Sequence, residues 1–338
     1  MNIRNADGRL DRPRAVAFAL AAALVTGGAC AQPNAADAPP LPPLYVDCRG
    51  EPSASPTVIL EAGAFGTSAD WDYILQDLSK GGRVCAYDRA GVGLSPDRPG
   101  DRGVLAKAGE LNVLLDQLGE TRPVIVVGHS NGALYAQAFA RLFPQRVAGL
   151  VYVNGVNADA AENPLLLSDL RHERRLSGLA AIAGHLGLAA LVAAKLTDNE
   201  HLSPAAAKRK LRALDCARCL MVARDEDRLI IPGLDAVNRL DPTAVRHIPT
   251  VVISGDQYPN RPLPAAWRAA ELGPAKRADH SWVLRAPGAT HVSPLARDRA
   301  YVDAAVAWLR SPFTTLPRSA STPMAPPEPA PGPPAAAR

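Results

Sequence analysis

Val124-Ile125-Val126-Val127-Gly128-His129-Ser130-Asn131-Gly132-Ala133 joins an unbroken apolar run to a helix-like stretch continuing to Leu142. The apolar run suits a strand buried on both faces of a sheet. Between strand and helix lies Gly-x-Ser-x-Gly. A serine hydroxyl is a weak nucleophile, so it must stand exposed on a strained strand-to-helix turn, beside a base and facing oxyanion donors. Gly128 and Gly132 carry no Cβ, so the backbone can bend sharply and pack closely while Ser130 takes an unfavourable φ/ψ. Five residues of common types carry little weight alone. The strand before them and the helix after them are the context that such an elbow requires.

Working outward, short apolar runs recur at Leu44–Asp47, Thr57–Leu60, Arg83–Tyr87, Val124–Val127, Ala148–Val153, Thr250–Ser254 and Trp282–Arg285. Those from Thr57 onward are mostly continuous rather than alternating, as in parallel strands covered on both sides. Apolar spacings of three and four predict helices over Trp71–Leu78, Val104–Leu118, Ala133–Phe143 and Ala300–Leu309, with Gly119 and Pro144 as stops. The alternation predicts an α/β fold with a doubly wound, mostly parallel sheet and ligands at the carboxyl ends of its strands. From Asn157 to about His247 the chain is rich in Ala, Leu and Arg, with Pro164, Pro204 and Pro232 as breaks and no strand signal. That stretch reads as a helical cap inserted between core strands.

The ends fall outside this rhythm. Arg4, Arg9, Arg12 and Arg14 precede the apolar run Ala15–Val25, and Ala29-Cys30-Ala31 follows, the pattern of a cleaved secretory signal over residues 1–31. The run is about half of the ~20 residues that span a bilayer, so no stable membrane span is expected. A lipidated Cys30 is the alternative, disfavoured because Gly27 stands where lipoprotein signals carry a large aliphatic residue. A Pro/Ala-rich linker fills 32–43, and the proline-rich segment 311–338 lacks hydrophobic periodicity, the composition of a disordered tail. The core is expected over 44–156 and 248–310, flanking a cap at 157–247.

The formal charge is +4 from 37 basic and 33 acidic side chains. Two of those four charges fall in the leader, where Arg4, Arg9, Arg12 and Arg14 face Asp7 and Asp11. The remainder is nearly balanced, so charge gives no argument for nucleic acid or membrane partners; a small-molecule substrate and no nucleic-acid partner are expected. Cys48, Cys85, Cys216 and Cys219 remain after the leader, an even count that suggests disulfides in an exported, periplasmic or secreted protein. We take 48–85 with 216–219 among three connectivities, a choice that spacing does not decide. Cys216-Ala217-Arg218-Cys219 lacks the second half-site or thioredoxin-like context that a zinc or redox motif needs.

Ser130 needs a base, and seven histidines compete. His291, in a loop after the final strand, can reach back from the sheet's carboxyl edge. His129 adjoins the nucleophile and should point away from it into packing. The acid that fixes the imidazole tautomer is expected at Asp256, which follows the strand Thr250–Ser254 through Gly255, with Asp159 and Asp279 as rivals. Oxyanion donors are expected at the Asn131 amide and in Glu61-Ala62-Gly63-Ala64-Phe65-Gly66, where Ala64 is favoured over Phe65. An ordinary strand-to-helix turn also favours glycine, so this loop depends on the rest.

Together these segments resemble the α/β-hydrolase superfamily over residues 44–310. Leu60-Glu61-Ala62-Gly63 is similar to its oxyanion loop, with Glu-x-Gly in place of His-Gly. Tyr87-Asp88-Arg89-Ala90-Gly91-Val92-Gly93-Leu94-Ser95 is similar to its Asp-Arg-x-Gly-x-Gly-x-Ser turn, in which Asp88 and Arg89 read as structural. Cys48 and Cys85 resemble the cysteine pair of an exported branch, which supports a 48–85 disulfide. Asn154 stands where many relatives carry Asp, which favours Asp256 as the acid. The resemblance implies a serine hydrolase cleaving a carboxylic ester, less readily an amide, through an acyl-enzyme, with no metal or organic cofactor. A cofactor-free haloperoxidase-like or carbon-carbon hydrolase on the same triad, and a non-catalytic binding protein on the same scaffold, are the alternatives.

Overall fold

The computed structural model describes residues 42–188, 202–258 and 261–311. The expected leader, the linker up to residue 41 and the tail beyond Ser311 lie outside the described residues. In chain order the first half comprises β1 (Val46–Arg49), β2 (Val58–Glu61), α1 (Asp72–Leu78), β3 (Val84–Tyr87), α2 (Val104–Gln117), β4 (Val124–His129), α3 (Asn131–Leu142) and β5 (Val147–Val153). Four helices follow, α4 (Pro164–Ala183), α5 (Pro204–Leu214), α6 (Ala217–Arg228) and α7 (Ile230–Asn238). The chain then returns through β6 (Thr250–Gly255), β7 (Gln257–Tyr258), β8 (Arg261–Pro262), α8 (Ala265–Glu271), α9 (Gly273–Arg277), β9 (Ser281–Ala286) and α10 (Ala300–Arg310).

The main sheet has the order β1-β3-β2-β4-β5-β6-β9, with β1 antiparallel to β3 and the remaining neighbours parallel. Its central strands explain their own composition. Val124 and Val126 face a core shared with α2, α3 and α7, whereas Ile125 and Val127 face one shared with α1 and α10. Successive side chains point to opposite faces, so a strand covered on both sides must be apolar at every position. Each of the seven expected main-sheet strands is present, with ends shifted by at most two residues.

Between β5 and β6 every described α or β element is a helix. Two features in the next segment depart from the sequence reading. The short hairpin β7–β8 and helices α8 and α9 separate β6 from β9, where the sequence pattern names no element. Two-residue strands and a five-residue helix are too short to show a period, so no pattern announced them.

Both expected disulfides are present. Cys48 and Cys85 are joined across the β1–β3 pair, where the two residues stand directly opposite. Cys216, at the N-cap of α6, is joined to Cys219 one turn later. No helix among the described residues is long and apolar enough to cross a membrane.

Candidate active site

Ser130 occupies the turn from β4 to α3 with φ 53° and ψ −124°, a left-handed conformation that costs a non-glycine residue about 1–3 kcal/mol. Surrounding backbone holds it there. Its N–H donates to Val153 O at 3.1 Å, and its carbonyl accepts from Ala133 N at 3.1 Å and Val156 N at 3.0 Å. The flanking glycines are required by contact. A Cβ on Gly128 would lie 2.6 Å from Gly132 O, and one on Gly132 would lie 2.3 Å from Glu61 O. The elbow therefore packs directly on the end of β2.

A cavity of about 190 Å³ opens above this turn. Ser130, His291, Ala64 and Asn131 all line it, so four of the five expected site residues share one space. Ala64 belongs to the loop after β2, which approaches the nucleophile closely: a Cβ on Gly63 would meet Ser130 Cβ at 2.9 Å. Asn131 opens α3, where free N–H groups and the helix dipole favour negative charge.

Asp256 does not line the cavity. It follows β6 directly, and its Oδ1 accepts from Gly288 N at 2.8 Å and Gln257 Nε2 at 3.2 Å. The first bond ties it to the loop that carries His291, three residues before the imidazole. Of its rivals, Asp159 is paired with Arg277 at 2.8 Å and Asp279 with Arg246 at 2.9 Å. Asp279 sits just ahead of β9, at the end of that strand away from His291.

His291 is partly open to the cavity, yet protein crowds its ring. That desolvation, with a smaller contribution from His129, holds its pKa down to about 3. His129 is buried, and desolvation lowers it to about 4 against the raising effect of its bond to the His291 carbonyl. Both rings are neutral at pH 7. His129 Nε2 lies 2.8 Å from His291 O, and a neutral imidazole facing a carbonyl must carry its proton there, so Nε2 donates. His129 thus does more than fill space.

Asn154 makes the same attachment from β5. Its Nδ2 donates to Thr290 O at 3.1 Å and His291 O at 3.0 Å, while its Oδ1 accepts from Gly255 N at 2.7 Å. One side chain therefore ties the ends of β5 and β6 to the histidine loop. Its own backbone is left-handed, φ 44°.

Arg89, structural by its place in the turn after β3, also positions the site. It is buried, with Nη1 donating to Glu61 Oε1 at 2.8 Å and Ala62 O at 2.7 Å, and Nη2 to Gly63 O at 3.0 Å. Its Nε donates to Glu226 Oε2 on α6 at 3.0 Å. Tyr87 completes the cluster through its hydroxyl bond to Glu61. Burial raises the Glu61 pKa, and Arg89 is the first of the groups opposing it. Arg89 consequently fixes two carbonyls of the loop bearing Ala64 and joins that loop to a helix from the segment between β5 and β6. Lys210 on α5 adds a further tie, donating to Phe65 O at 2.9 Å and Asp70 Oδ2 at 2.7 Å.

Glu173, Arg174 and Ser177 on α4 and Asp227 on α6 also line the cavity. Asp227 accepts from Asn131 Nδ2 at 3.0 Å and Ser177 Oγ at 2.8 Å, and Arg174 Nη2 lies 3.8 Å from its carboxylate. Trp267 and Glu271 on α8 line it too.

A family model described as the alpha/beta hydrolase fold matches residues 56–213. An AB hydrolase superfamily protein from Gibberella zeae is 32% identical over 143 residues, 40% of this chain and 44% of that protein. A RutD protein from Stutzerimonas stutzeri, provisionally named a carbamate hydrolase, is 38% identical over 117 residues, 34% of this chain and 42% of that one. The chain thus spans less than half the length of these curated relatives. Among solved structures, a thermophilic esterase from Thermogutta terrifontis aligns with a TM-score of 0.56 at 22% identity, covering 79% of this chain and 93% of that one. With its sheet order and its serine elbow, the chain has the alpha/beta hydrolase fold.

Proposed function

We propose that the protein is a serine hydrolase that cleaves a carboxylic ester, less readily an amide, through an acyl-enzyme. One observation carries the reading: Ser130 is held in a left-handed conformation at the head of α3, on a cavity it shares with His291. Strain of that kind persists only where surrounding structure enforces it. Here it places a hydroxyl on the cavity that the neutral His291 imidazole also lines, and neutral is the protonation state a general base requires.

In this reading Ser130 Oγ attacks the substrate carbonyl and His291 takes its proton, later delivering it to the leaving group. The tetrahedral oxyanion is stabilised by the Asn131 and Ala64 amides, and Asp256 orients the base. Water then attacks the acyl-enzyme by the same route. Aspartate would be needed at position 130 for the alkyl-enzyme route of epoxide hydrolases and dehalogenases. The helices between β5 and β6 act as a cap that shapes the substrate space. The two disulfides suit an exported protein working in an oxidising compartment.

Turnover of a short p-nitrophenyl ester tests the assignment. Ser130→Ala should lower kcat by roughly 10⁴–10⁶-fold, the range for lost nucleophiles, with an unchanged circular-dichroism spectrum. Retained turnover would overturn the reading.

A further inference from the structure

The hydrolytic reading leaves Glu271 without a task. This residue ends α8 and is 5% exposed, yet it lines the same cavity as His291 and Ser130. Its Oε2 accepts from Ser254 Oγ at 2.6 Å. Its other carboxyl oxygen has no hydrogen-bond partner among the described residues and is not sealed from the cavity. A carboxyl group placed at such a wall with one oxygen unused is costly unless something arrives to meet it.

The remaining charges of the cavity decide what that something is. Arg174 also faces it, which at first suggests an anion. Its guanidinium is already spent, however: Nε donates to Asp227 O at 2.7 Å, Nη1 to Leu170 O at 2.8 Å, and the Asp227 carboxylate stands 3.8 Å away. Glu173 acts on Arg174 as well. An arriving anion would meet Glu173, Asp227 and Glu271 around a cation that is already compensated. Trp267 lies four residues before Glu271 on the same helix and also lines the cavity, with its indole N–H committed to Asp169 Oδ2 at 3.1 Å. What the indole offers the cavity is therefore its ring carbon surface, which attracts cations.

We propose that Glu271 and Trp267 form a subsite for a protonated amine on the substrate, so that the hydrolase prefers small esters or amides bearing an ammonium group near the scissile carbonyl. The preference rests on the hydrolytic reading, but the subsite is a binding site whether or not turnover occurs. Burial pushes Glu271 up to about 7 despite the opposing Ser254 bond and Arg268, so at neutral pH an entering cation displaces its proton readily. The cavity, at about 190 Å³, limits the occupant to a small group.

Calorimetric titration of the full-length protein at pH 8 with benzylammonium chloride and with benzyl alcohol, its neutral counterpart, tests the subsite directly. Benzylammonium should bind about 10- to 100-fold more tightly, the span expected for a desolvated charge-assisted hydrogen bond. Glu271→Gln should abolish that preference while leaving benzyl alcohol affinity within about twofold. Equal affinities in the unmodified protein, or a preference that survives Glu271→Gln, would overturn the proposal. Should Glu271→Gln not fold, Trp267→Leu must lower benzylammonium affinity by about threefold or more, and an unchanged value overturns the subsite. Turnover of p-nitrophenyl acetate is scored separately. Its absence counts against the hydrolase reading alone, whereas turnover without ammonium preference counts against the subsite alone.

Discussion

Asn154 Nδ2 donates to the carbonyl of His291 at 3.0 Å, so the residue closing β5 holds the loop that carries the proposed base. Thr290 O and Gly255 N complete its bonds, and His129 Nε2 reaches the same His291 carbonyl at 2.8 Å. The imidazole is thereby located by contacts to its backbone from two neighbouring strands.

Replacing Asn154 with leucine removes all three bonds, leaving the buried Gly255 N–H without this acceptor and the His291 carbonyl with one donor fewer. Stability should fall by about 1–3 kcal/mol, read as a lower urea midpoint with an unchanged slope. Ester kcat should drop by at least about tenfold, because small misplacement of a base is expensive. A variant that matches the unmodified protein in both would remove Asn154 from this role.

Arg89→Met leaves Glu61 and Glu226 facing each other in the core. Breaking a buried ion pair by removing one partner costs about 3–5 kcal/mol, and the carbonyls of Ala62 and Gly63 lose their donor. We expect a large loss of stability, measured by denaturant titration, with Glu226→Gln milder because it retains a hydrogen-bonding oxygen. Equal stability of Arg89→Met and the unmodified protein would show that this network is dispensable.

The buried imidazoles set a pH window. His129 and His291 have folded pKa values of about 4 and about 3, below the ordinary 6.5. Between those values and 6.5 the unfolded chain binds more protons, so stability rises with pH there and is lost as pH falls from about 6.5 toward 4. Glu271, raised to about 7 from 4.5, has the opposite sign: its contribution is complete below about 4.5 and fades as pH rises through 7. Urea unfolding between pH 4 and 8 should therefore show a fall on the acid side that is shallower in His129→Gln. An unchanged acid slope would rule out His129 as its source. The acid limb of kcat/KM for a neutral ester should likewise lie below the usual histidine range.

The two disulfides differ in leverage. Cys48–Cys85 closes a separation of 37 residues, whereas Cys216–Cys219 closes 3. Loop-closure entropy assigns the first about 3–4 kcal/mol and the second much less. Cys48→Ala with Cys85→Ala should lower the melting temperature distinctly more than Cys216→Ala with Cys219→Ala. The reverse order would contradict this account.

What was legible in the sequence follows from periodicity and chain order. Strands buried on both faces advertise themselves as continuous apolar runs, and the Ser130 elbow is a local pattern; both were readable. So was the place of His291 on the cavity, from its position after the last main-sheet strand. The contributions of Arg89, Asn154 and His129 depend on partners far along the chain, Glu226, Gly255 and the His291 carbonyl, which no local spacing reveals. Glu271 was hidden for a related reason. It sits at the end of a seven-residue helix whose existence was not signalled, and its carboxyl group matters only because Ser254 and the cavity meet it there.

Intact-mass spectrometry after fluorophosphonate treatment tests the central claim most directly. The protein should gain a single adduct, mapped to the peptide containing Ser130, absent in Ser130→Ala and formed at least about 100-fold more slowly in His291→Ala. No adduct on the folded, unmodified protein, or an adduct that persists in Ser130→Ala, would contradict it.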